Sequence, residues 1–329
     1  MDYQEKFEVD KENGAFFGSK IDVLIVGGDY QLERNCQIKS LMKDGFNGIT
    51  IFMNCNIEQN KFKLTIVDNQ NKTIKENADL DITPYLRRFF KQDSIFETCQ
   101  LHNSNVCIDI TSMPHILIFN LTKIFLKEVK PRNFFATYTE PEAYNKRIKE
   151  LSNYCIDEED FDLYEEILGM NYSIEGFSKI KRVDDDLLIA SLGFERQRLL
   201  ALYEKVEPKG GLIPIIGFPA FKPGWNITAL NMNYKVIEDS GSEGYIETCE
   251  SSSPFDIYHK IKTIYNLKSG TYNILIAPFG TRPNCLGATI FALRHTICQL
   301  IYDFPIEKNF RSKGIGKSYF YILSSFLND

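Results

Sequence analysis

The chain has 329 residues, which is enough for one large domain or two ordinary ones with a sizeable buried core. Its hydrophobic fraction of 43% and charged fraction of 25% are typical of a soluble globular protein. The net charge of −6 argues against a generic nucleic-acid coat, and no apolar run approaches the roughly 20 residues that a membrane helix requires.

Cysteine and histidine spacings give no signal for a metal site. The 8 cysteines include no C-x-x-C pair, and the 4 histidines make neither an H-x-x-x-H nor an H-E-x-x-H spacing. Residues 1–20 are polar and mixed in charge, unlike a signal peptide. We therefore expect a cytoplasmic protein with reduced cysteines, no cofactor and no membrane partner.

The beginning of each half of the chain shows the same pattern. Residues 21–26 form a short apolar run, which predicts a buried strand, and residues 187–190 repeat it. The segments that follow the two runs also align with each other. This alignment makes Arg34 and Arg198 equivalent, about one turn into the first helix of each half.

A second repeated pattern joins an apolar strand to an apolar helix through a polar turn. It covers residues 106–126 and 273–294. Aligning Pro114 with Pro283 pairs Asp109 with Pro278, Thr111 with Gly280, and Ser112 with Thr281. In a parallel sheet such a turn lies at the carboxyl edge, where backbone N–H groups and a helix N-terminus face an incoming anion.

The remaining elements complete two strand–helix alternations. We predict second strands at 48–53 and 211–216, amphipathic helices at 84–90 and 254–265, and closing strands at 133–139 and 318–323. The predicted fold class is α/β, with two tandem Rossmann-like parallel-sheet units related by internal duplication about a pseudo-twofold axis. The predicted organisation is an N-terminal extension (1–20), a first unit (21–143), a connector (144–183) and a second unit (184–329).

Two other stretches have more than one interpretation. The acidic runs at 157–160 and 184–186 could bind a divalent metal, but solvated surfaces of this composition are far commoner. The loop at 217–225 is rich in proline, glycine and aromatic residues and contains the only tryptophan. It is either a packed surface loop or the lip of a pocket on which a base could stack.

The polar turns carry the candidate ligand-binding residues. Gly280 lets backbone approach a ligand, Thr281 offers a hydroxyl, and Arg282 offers a planar fork suited to phosphate. Pairing of the two halves would bring both sheet edges into one composite basic pocket. The candidate set is Arg34, Asp109, Thr111, Ser112, Gly193, Glu195, Arg198, Gly280, Thr281, Arg282 and Asn284.

Each of these residues also has a purely structural interpretation. Residues 280–283 could be an ordinary tight turn with Arg282 in a salt bridge. Arg34 and Arg198 could form ion pairs with nearby acids such as Glu33 and Glu195. Asp109 could be a capping or turn carboxylate.

The turns at 109–114 and 279–283 resemble the fourth-strand turn of CARF-type Rossmann-like domains, where glycine, serine or threonine, and a basic residue precede a helix. Two such units in one chain are similar to SAVED domains. The resemblance implies binding of a cyclic oligonucleotide and a role in a prokaryotic antiviral system, with a protein effector as a possible partner. The first copy departs from the pattern, because Ser-Met-Pro replaces the family's Gly-Thr-Lys.

Two alternatives to a nucleotide sensor remain open. Asp109, Ser112 and Glu195 could support phosphodiester cleavage, and the resemblance implies a stand-alone ring nuclease for a chain without an attached effector module. No Walker loop, G-x-G-x-x-G or Ser-His-Asp order demands catalysis. The other alternative is a non-catalytic scaffold subunit that binds a protein partner and no ligand.

Overall fold

The computed structural model describes residues 5–28, 33–58, 61–68, 73–78, 82–92, 101–144, 164–167, 174, 177, 183–295, 298–303, 305–307 and 312–327. The chain divides into two compact units. Unit 1 comprises Met1–Pro141 with Gly314–Asp329, and unit 2 comprises Glu142–Lys313.

The first sheet has eight strands among the described residues. They are β1 (Lys6–Val9), β2 (Val23–Gly27), β3 (Ile49–Glu58), β4 (Lys61–Asp68), β5 (Thr73–Ala78), β6 (Asn105–Asp109), β7 (Asn133–Tyr144) and, near the end of the chain, β15 (Ser312–Ile322). Their order is β1-β15-β7-β6-β2-β3-β4-β5. The centre, β7-β6-β2-β3, is parallel, whereas β4, β5 and β1 pair antiparallel with their neighbours.

The helices of unit 1 are α1 (Gly14–Gly18), α2 (Glu33–Met42), α3 (Thr83–Gln92) and α4 (His115–Lys123), which continues into a π-helical turn at Ile124–Val129. The N-terminal segment is part of the core, because Phe17 of α1 stacks on Phe320 of β15 with ring centroids 4.6 Å apart. The predicted extension at 1–20 therefore contributes a strand and a short helix to this unit.

In the described part of unit 2, the second sheet has five parallel strands: β9 (Asp186–Ser191), β10 (Leu212–Gly217), β11 (Glu247–Cys249), β12 (Asn273–Pro278) and β13 (Cys298–Leu300). A separate antiparallel pair joins β8 (Tyr164–Ile167) to β14 (Pro305–Glu307). The helices are α5 (Arg196–Val206), α6 (Trp225–Asp239), α7 (Pro254–Lys268) and α8 (Arg282–Arg294). Strands β9 and β12 are buried along their whole length, which explains their continuous apolar sequences.

The strand order of unit 2 is that of a doubly wound sheet. The order is β11-β10-β9-β12-β13. Strand β9, the first of these five in the chain, therefore lies between the second, β10, and the fourth, β12. The strand order therefore reverses between β9 and β12, which makes their carboxyl ends the topological switch point. Unit 1 has the related order β3-β2-β6-β7, with its reversal between β2 and β6.

Helices α7 and α8 approach each other unusually closely. A Cβ built on Gly287 would lie 2.0 Å from the carbonyl oxygen of Pro254 and 2.5 Å from Ile257. The small residue at 287 therefore allows α8 to pack closely on α7.

The α/β class with two mostly parallel sheets is confirmed, but the boundaries differ from the predicted ones. The closing strand predicted for the second half is β15, and it lies in the first sheet beside β1 and β7, so residues 314–329 belong to unit 1. Strand β8 lies within the predicted connector at 144–183. The acidic run at 157–160 lies outside the described residues.

The internal alignment agrees with the strand register only in part. Val26 lies opposite Asp109 in unit 1, whereas its aligned counterpart Ala190 lies opposite Ala277 in unit 2. The alignment of the motif strands would require Pro278 at that place. The alignment of the first strands and the alignment of the motif strands are therefore out of register with each other by one residue.

Candidate functional site

At the carboxyl edge of the second sheet, the backbone just after β9 closely approaches the backbone just after β12. A Cβ built on Gly193 would lie 2.5 Å from the carbonyl oxygen of Phe279, so only glycine fits there. The Gly280 N–H donates to the Ser191 hydroxyl oxygen at 3.2 Å. Gly193 and Gly280 therefore lie together at the switch point, where a ligand in this kind of sheet contacts backbone.

Thr281 caps helix α8 and ties it to the neighbouring loop. Its hydroxyl oxygen accepts the Asn284 N–H at 3.3 Å, and the hydroxyl donates to the Ser251 carbonyl at 2.6 Å. The Asn284 side-chain amide donates to the Glu250 carbonyl at 3.0 Å. These bonds use the Thr281 hydroxyl and the Asn284 amide to hold the loops after β11 and β12 together.

Ser251 extends this connection to the loop after β10. Its N–H donates to the Pro219 carbonyl at 3.1 Å, and a Cβ on Gly217 would lie 2.2 Å from its hydroxyl oxygen. Three consecutive loops at the carboxyl edge are thus hydrogen-bonded into one surface. Such a surface is preorganised, because its backbone is fixed before any ligand arrives.

Arg198 is held by an acid that the sequence analysis missed. Its Nε and Nη2 donate to the two carboxylate oxygens of Asp303 at 2.7 and 2.6 Å, and the two side chains are 4% and 0% exposed. Rings of Phe279 and Tyr302 lie 4.5 and 5.1 Å from the guanidinium carbon. Glu195, the predicted alternative partner, is 4.0 Å from Nη1. Arg198 thus ties α5 to the segment after β13 through Asp303 and lies against Phe279 of the turn after β12. Its predicted contact with a ligand stays a prediction.

Arg282 is the first residue of α8, directly after the Gly280–Thr281 turn. It is 7% exposed, so protein covers most of its side chain. Its place at a helix N-terminus is unusual for a cation, because the helix dipole disfavours positive charge there.

The corresponding turn of unit 1 holds a buried polar network. Arg34 donates from Nη2 to the Thr111 carbonyl at 2.8 Å. The Thr111 hydroxyl donates to Asp109 Oδ1 at 2.5 Å, and the Thr111 N–H reaches the same oxygen at 3.1 Å. The Thr139 N–H donates to the Thr111 hydroxyl oxygen at 3.0 Å, and the Thr139 hydroxyl meets that of Ser318 at 3.0 Å. The structure thus brings Arg34, Asp109 and Thr111 together, as predicted, but buries all three.

Burial raises the pKa of Asp109 to about 6. Desolvation is the largest cause, and it outweighs the hydrogen bonds from Thr111, the charge of Arg34 and the hydroxyl of Thr137, which all lower the pKa. Oδ2 of Asp109 is buried without a well-formed hydrogen bond from the described residues. The group therefore titrates close to neutral pH, unlike an exposed aspartate.

The polar turn of unit 1 is closed by its own side chains. Met113 fills the space above β2, since a Cβ on Gly27 would lie 2.3 Å from the Met113 Cβ. Ser112 is half-buried and makes no side-chain hydrogen bond to a described residue. Helix α4 begins after Pro114 without a side-chain cap. Unit 2 has Gly280, the Thr281 cap and Arg282 in its turn, whereas unit 1 has Thr111, Ser112 and the packed Met113 at the aligned positions.

No family model matches the chain, and no curated protein matches it. Within the described part of the chain, no group of three or more histidine, cysteine or acidic side chains is arranged to hold a metal ion. No helix in that part combines the length and the apolar character needed to cross a bilayer.

Proposed function

We propose that the protein binds a nucleotide at the carboxyl edge of the second sheet and acts as a sensor or regulator. The observation that carries this proposal is the contact between Gly193 and Phe279 at the switch point of a doubly wound sheet. Open α/β sheets bind their ligands in the crevice at such a point, and this close contact holds together the two loops that border it.

The charge around this contact favours a phosphate group. Arg282 begins α8 beside Gly280, and its guanidinium can form two parallel hydrogen bonds to phosphate oxygens. The positive end of the α8 dipole adds to the attraction. The Thr281 hydroxyl is already bonded to Ser251 and Asn284, so its role is to position the turn.

The finer version of the proposal adds an internal duplication and a cyclic oligonucleotide. The shared orders β3-β2-β6-β7 and β10-β9-β12-β13 support the duplication. The cyclic ligand and a role in prokaryotic antiviral defence rest on the resemblance of the two polar turns to CARF-type and SAVED domains.

A thermal-shift screen of the full chain against mono-, di- and cyclic oligonucleotides tests the proposal. A ligand present at about 100 times its Kd adds about 2.7 kcal/mol to the unfolding free energy. Arg282→Ala should abolish the shift, and Arg282→Lys should weaken it, because lysine retains the charge without the fork. Arg294→Ala, at the other end of the same helix, is the matched control and should leave the shift unchanged. A flat result for the whole panel would favour the scaffold.

One observation favours phosphodiester cleavage as a second candidate function. The Asp109 carboxyl, with a pKa of about 6, has the titration range of a general base near neutral pH, but it is fully buried, so cleavage would require the turn of unit 1 to open. Chromatography of the nucleotides after incubation measures turnover directly. Cleavage that is lost in Asp109→Asn would establish the enzyme, whereas intact ligand after prolonged incubation would leave the sensor.

A further inference from the structure

Three aromatic side chains of unit 2 form a cluster beside the glycine contact. The ring centroids of Tyr144 and Trp225 are 5.1 Å apart, those of Phe194 and Trp225 are 5.6 Å apart, and those of Tyr144 and Phe194 are 5.7 Å apart. All three residues are only partly buried. The aromatic cluster Tyr144–Phe194–Trp225 is therefore partly exposed to solvent, unlike the fully buried aromatic contacts of a core.

Chain connectivity places this cluster next to the proposed phosphate site. Phe194 directly follows Gly193, the residue in contact with the Phe279 carbonyl. The Asn233 side chain donates to the Gly193 carbonyl at 2.9 Å, which fixes α6 against the same turn. Trp225 is the first residue of α6. Phe194 and Gly280 thus each directly follow one of the two residues of this backbone contact, Gly193 and Phe279.

We propose that the aromatic cluster binds the base of the nucleotide whose phosphate lies at Gly280 and Arg282, an inference that rests on the function proposed above. A base presents a flat π-face, and partly exposed aromatic rings are the platforms on which proteins stack bases. Phe218, 56% exposed in the loop after β10, adds another aromatic face at the carboxyl edge. The recognised ligand is thus a nucleotide rather than a sugar phosphate or an inorganic anion.

Trp225 makes the inference directly measurable, because it is the only tryptophan in the chain. Its fluorescence is recorded while the full-length protein is titrated with AMP, adenosine or ribose 5-phosphate, and calorimetry measures affinity independently. AMP should change the emission, and ribose 5-phosphate should bind about tenfold or more weakly, since it lacks the stacked base. Adenosine should change the emission even when Arg282 is replaced by alanine.

Variants separate stacking from simple packing. Phe194→Leu should weaken AMP about tenfold and leave ribose 5-phosphate unchanged, whereas Phe194→Tyr should retain AMP binding. Tyr245→Leu, which removes an aromatic ring that is 59% exposed elsewhere in unit 2, is the matched control. Thermal melts establish that each variant is folded, and the wild-type titrations decide the question if Phe194→Leu is not.

The possible outcomes distinguish this inference from the proposed function. Suppose that AMP and ribose 5-phosphate bind with equal affinity, leave the Trp225 emission unchanged and both fail to bind Arg282→Ala. This result would overturn the stacking and retain the phosphate site. Adenosine binding that is as tight as AMP binding would support stacking of the base on the aromatic cluster and contradict the phosphate site. Absence of binding by all three probes in calorimetry would overturn the stacking of the base, and the screen with di- and cyclic oligonucleotides would then decide the proposed function.

Discussion

At the carboxyl edges of the two sheets, an arginine from the helix that follows β2 or β9 is used in different ways. In unit 2, Arg198 forms two short hydrogen bonds to Asp303 and lies against two aromatic rings. In unit 1, Arg34 donates to the backbone carbonyl of Thr111, while the nearby carboxylate of Asp109 is bonded to Thr111. In unit 2, the buried charges of Arg198 and Asp303 neutralise each other. In unit 1, the carboxyl of Asp109 remains buried and its ionisation is disfavoured.

The difference indicates that the two edges have different roles. The edge of unit 2 is fixed by an ion pair, a helix cap and glycine contacts, which leaves its turn geometry ready for a ligand. The edge of unit 1 is filled by Met113 and retains an ionisable group at a cost in stability. Perturbed carboxyls that are retained despite such a cost are concentrated at functional sites.

The largest expected effect is the loss of the Arg198–Asp303 ion pair. Arg198→Ala should lower the free energy of unfolding by about 3–5 kcal/mol, because it leaves the carboxylate of Asp303 buried without its partner. Arg34→Ala should cost less, about 1.5–3 kcal/mol, the value of one hydrogen bond to a charged group. Urea denaturation measures both, and equal losses would contradict the contrast between the edges.

The carboxyl of Asp109 should make stability depend on pH. Its pKa is raised from 3.8 to about 6 on folding, so the folded chain retains a proton that the unfolded chain loses, and stability falls as pH rises between these values. Asp109→Asn should therefore stabilise the protein by up to about 3 kcal/mol at neutral pH. The gain should shrink towards about pH 4. Urea denaturation at the two pH values checks this, and a gain independent of pH would show that desolvation of the carboxylate is not its cause.

Two glycines of unit 2 should respond differently to the same substitution. Gly193→Ala should cost about 1–3 kcal/mol, because the new methyl group meets the backbone oxygen of Phe279 at 2.5 Å. Gly280→Ala should cost less than about 1 kcal/mol, because its nearest neighbour is the Ser191 side chain at 3.2 Å. Thermal denaturation compares the two variants. A larger loss of stability for Gly280→Ala than for Gly193→Ala would show that the tightest contact is at Gly280, after β12, and not at Gly193, after β9.

The smallest expected effect concerns the two helix starts. Thr281→Ala should destabilise the protein by about 1 kcal/mol, since it removes the cap of α8, and Thr281→Ser should restore most of the loss. Ser112→Ala should change stability by less than about 0.5 kcal/mol, because Ser112 does not cap α4. If both alanine variants have the same stability in urea denaturation, the turns are more alike than their hydrogen bonds indicate.

The elements of the fold were predictable where burial is continuous. Strands β2, β9 and β12 are buried along their length, so short apolar runs next to glycine or polar turns indicated them directly. The location of β15 was not predictable in this way. Its sequence predicts a strand but does not say which sheet it joins, because pairing with β1 and β7 depends on contacts between residues far apart in the chain.

The site was predictable at the level of the turns but not of the partners. Sequence placed Gly280, Thr281 and Arg282 at a strand end before a helix, and the structure confirms that placement. The partner of Arg198 was missed, although a lone aspartate among the apolar residues 300–304 is a signal for a buried ion pair. The Thr-x-x-Asn spacing at 281–284 could likewise have indicated a helix cap rather than a free hydroxyl.

The position of β15 in the first sheet has a consequence for synthesis on the ribosome. Strands β1 and β7 emerge early, but the strand that joins them is translated only after the whole of unit 2. Unit 2 has all of its residues between 142 and 313, so it can finish folding while the first sheet still exposes the edge of β7. An exposed strand edge is a site of aggregation. A nascent chain paused before residue 312 should therefore depend on chaperones for its first half rather than its second.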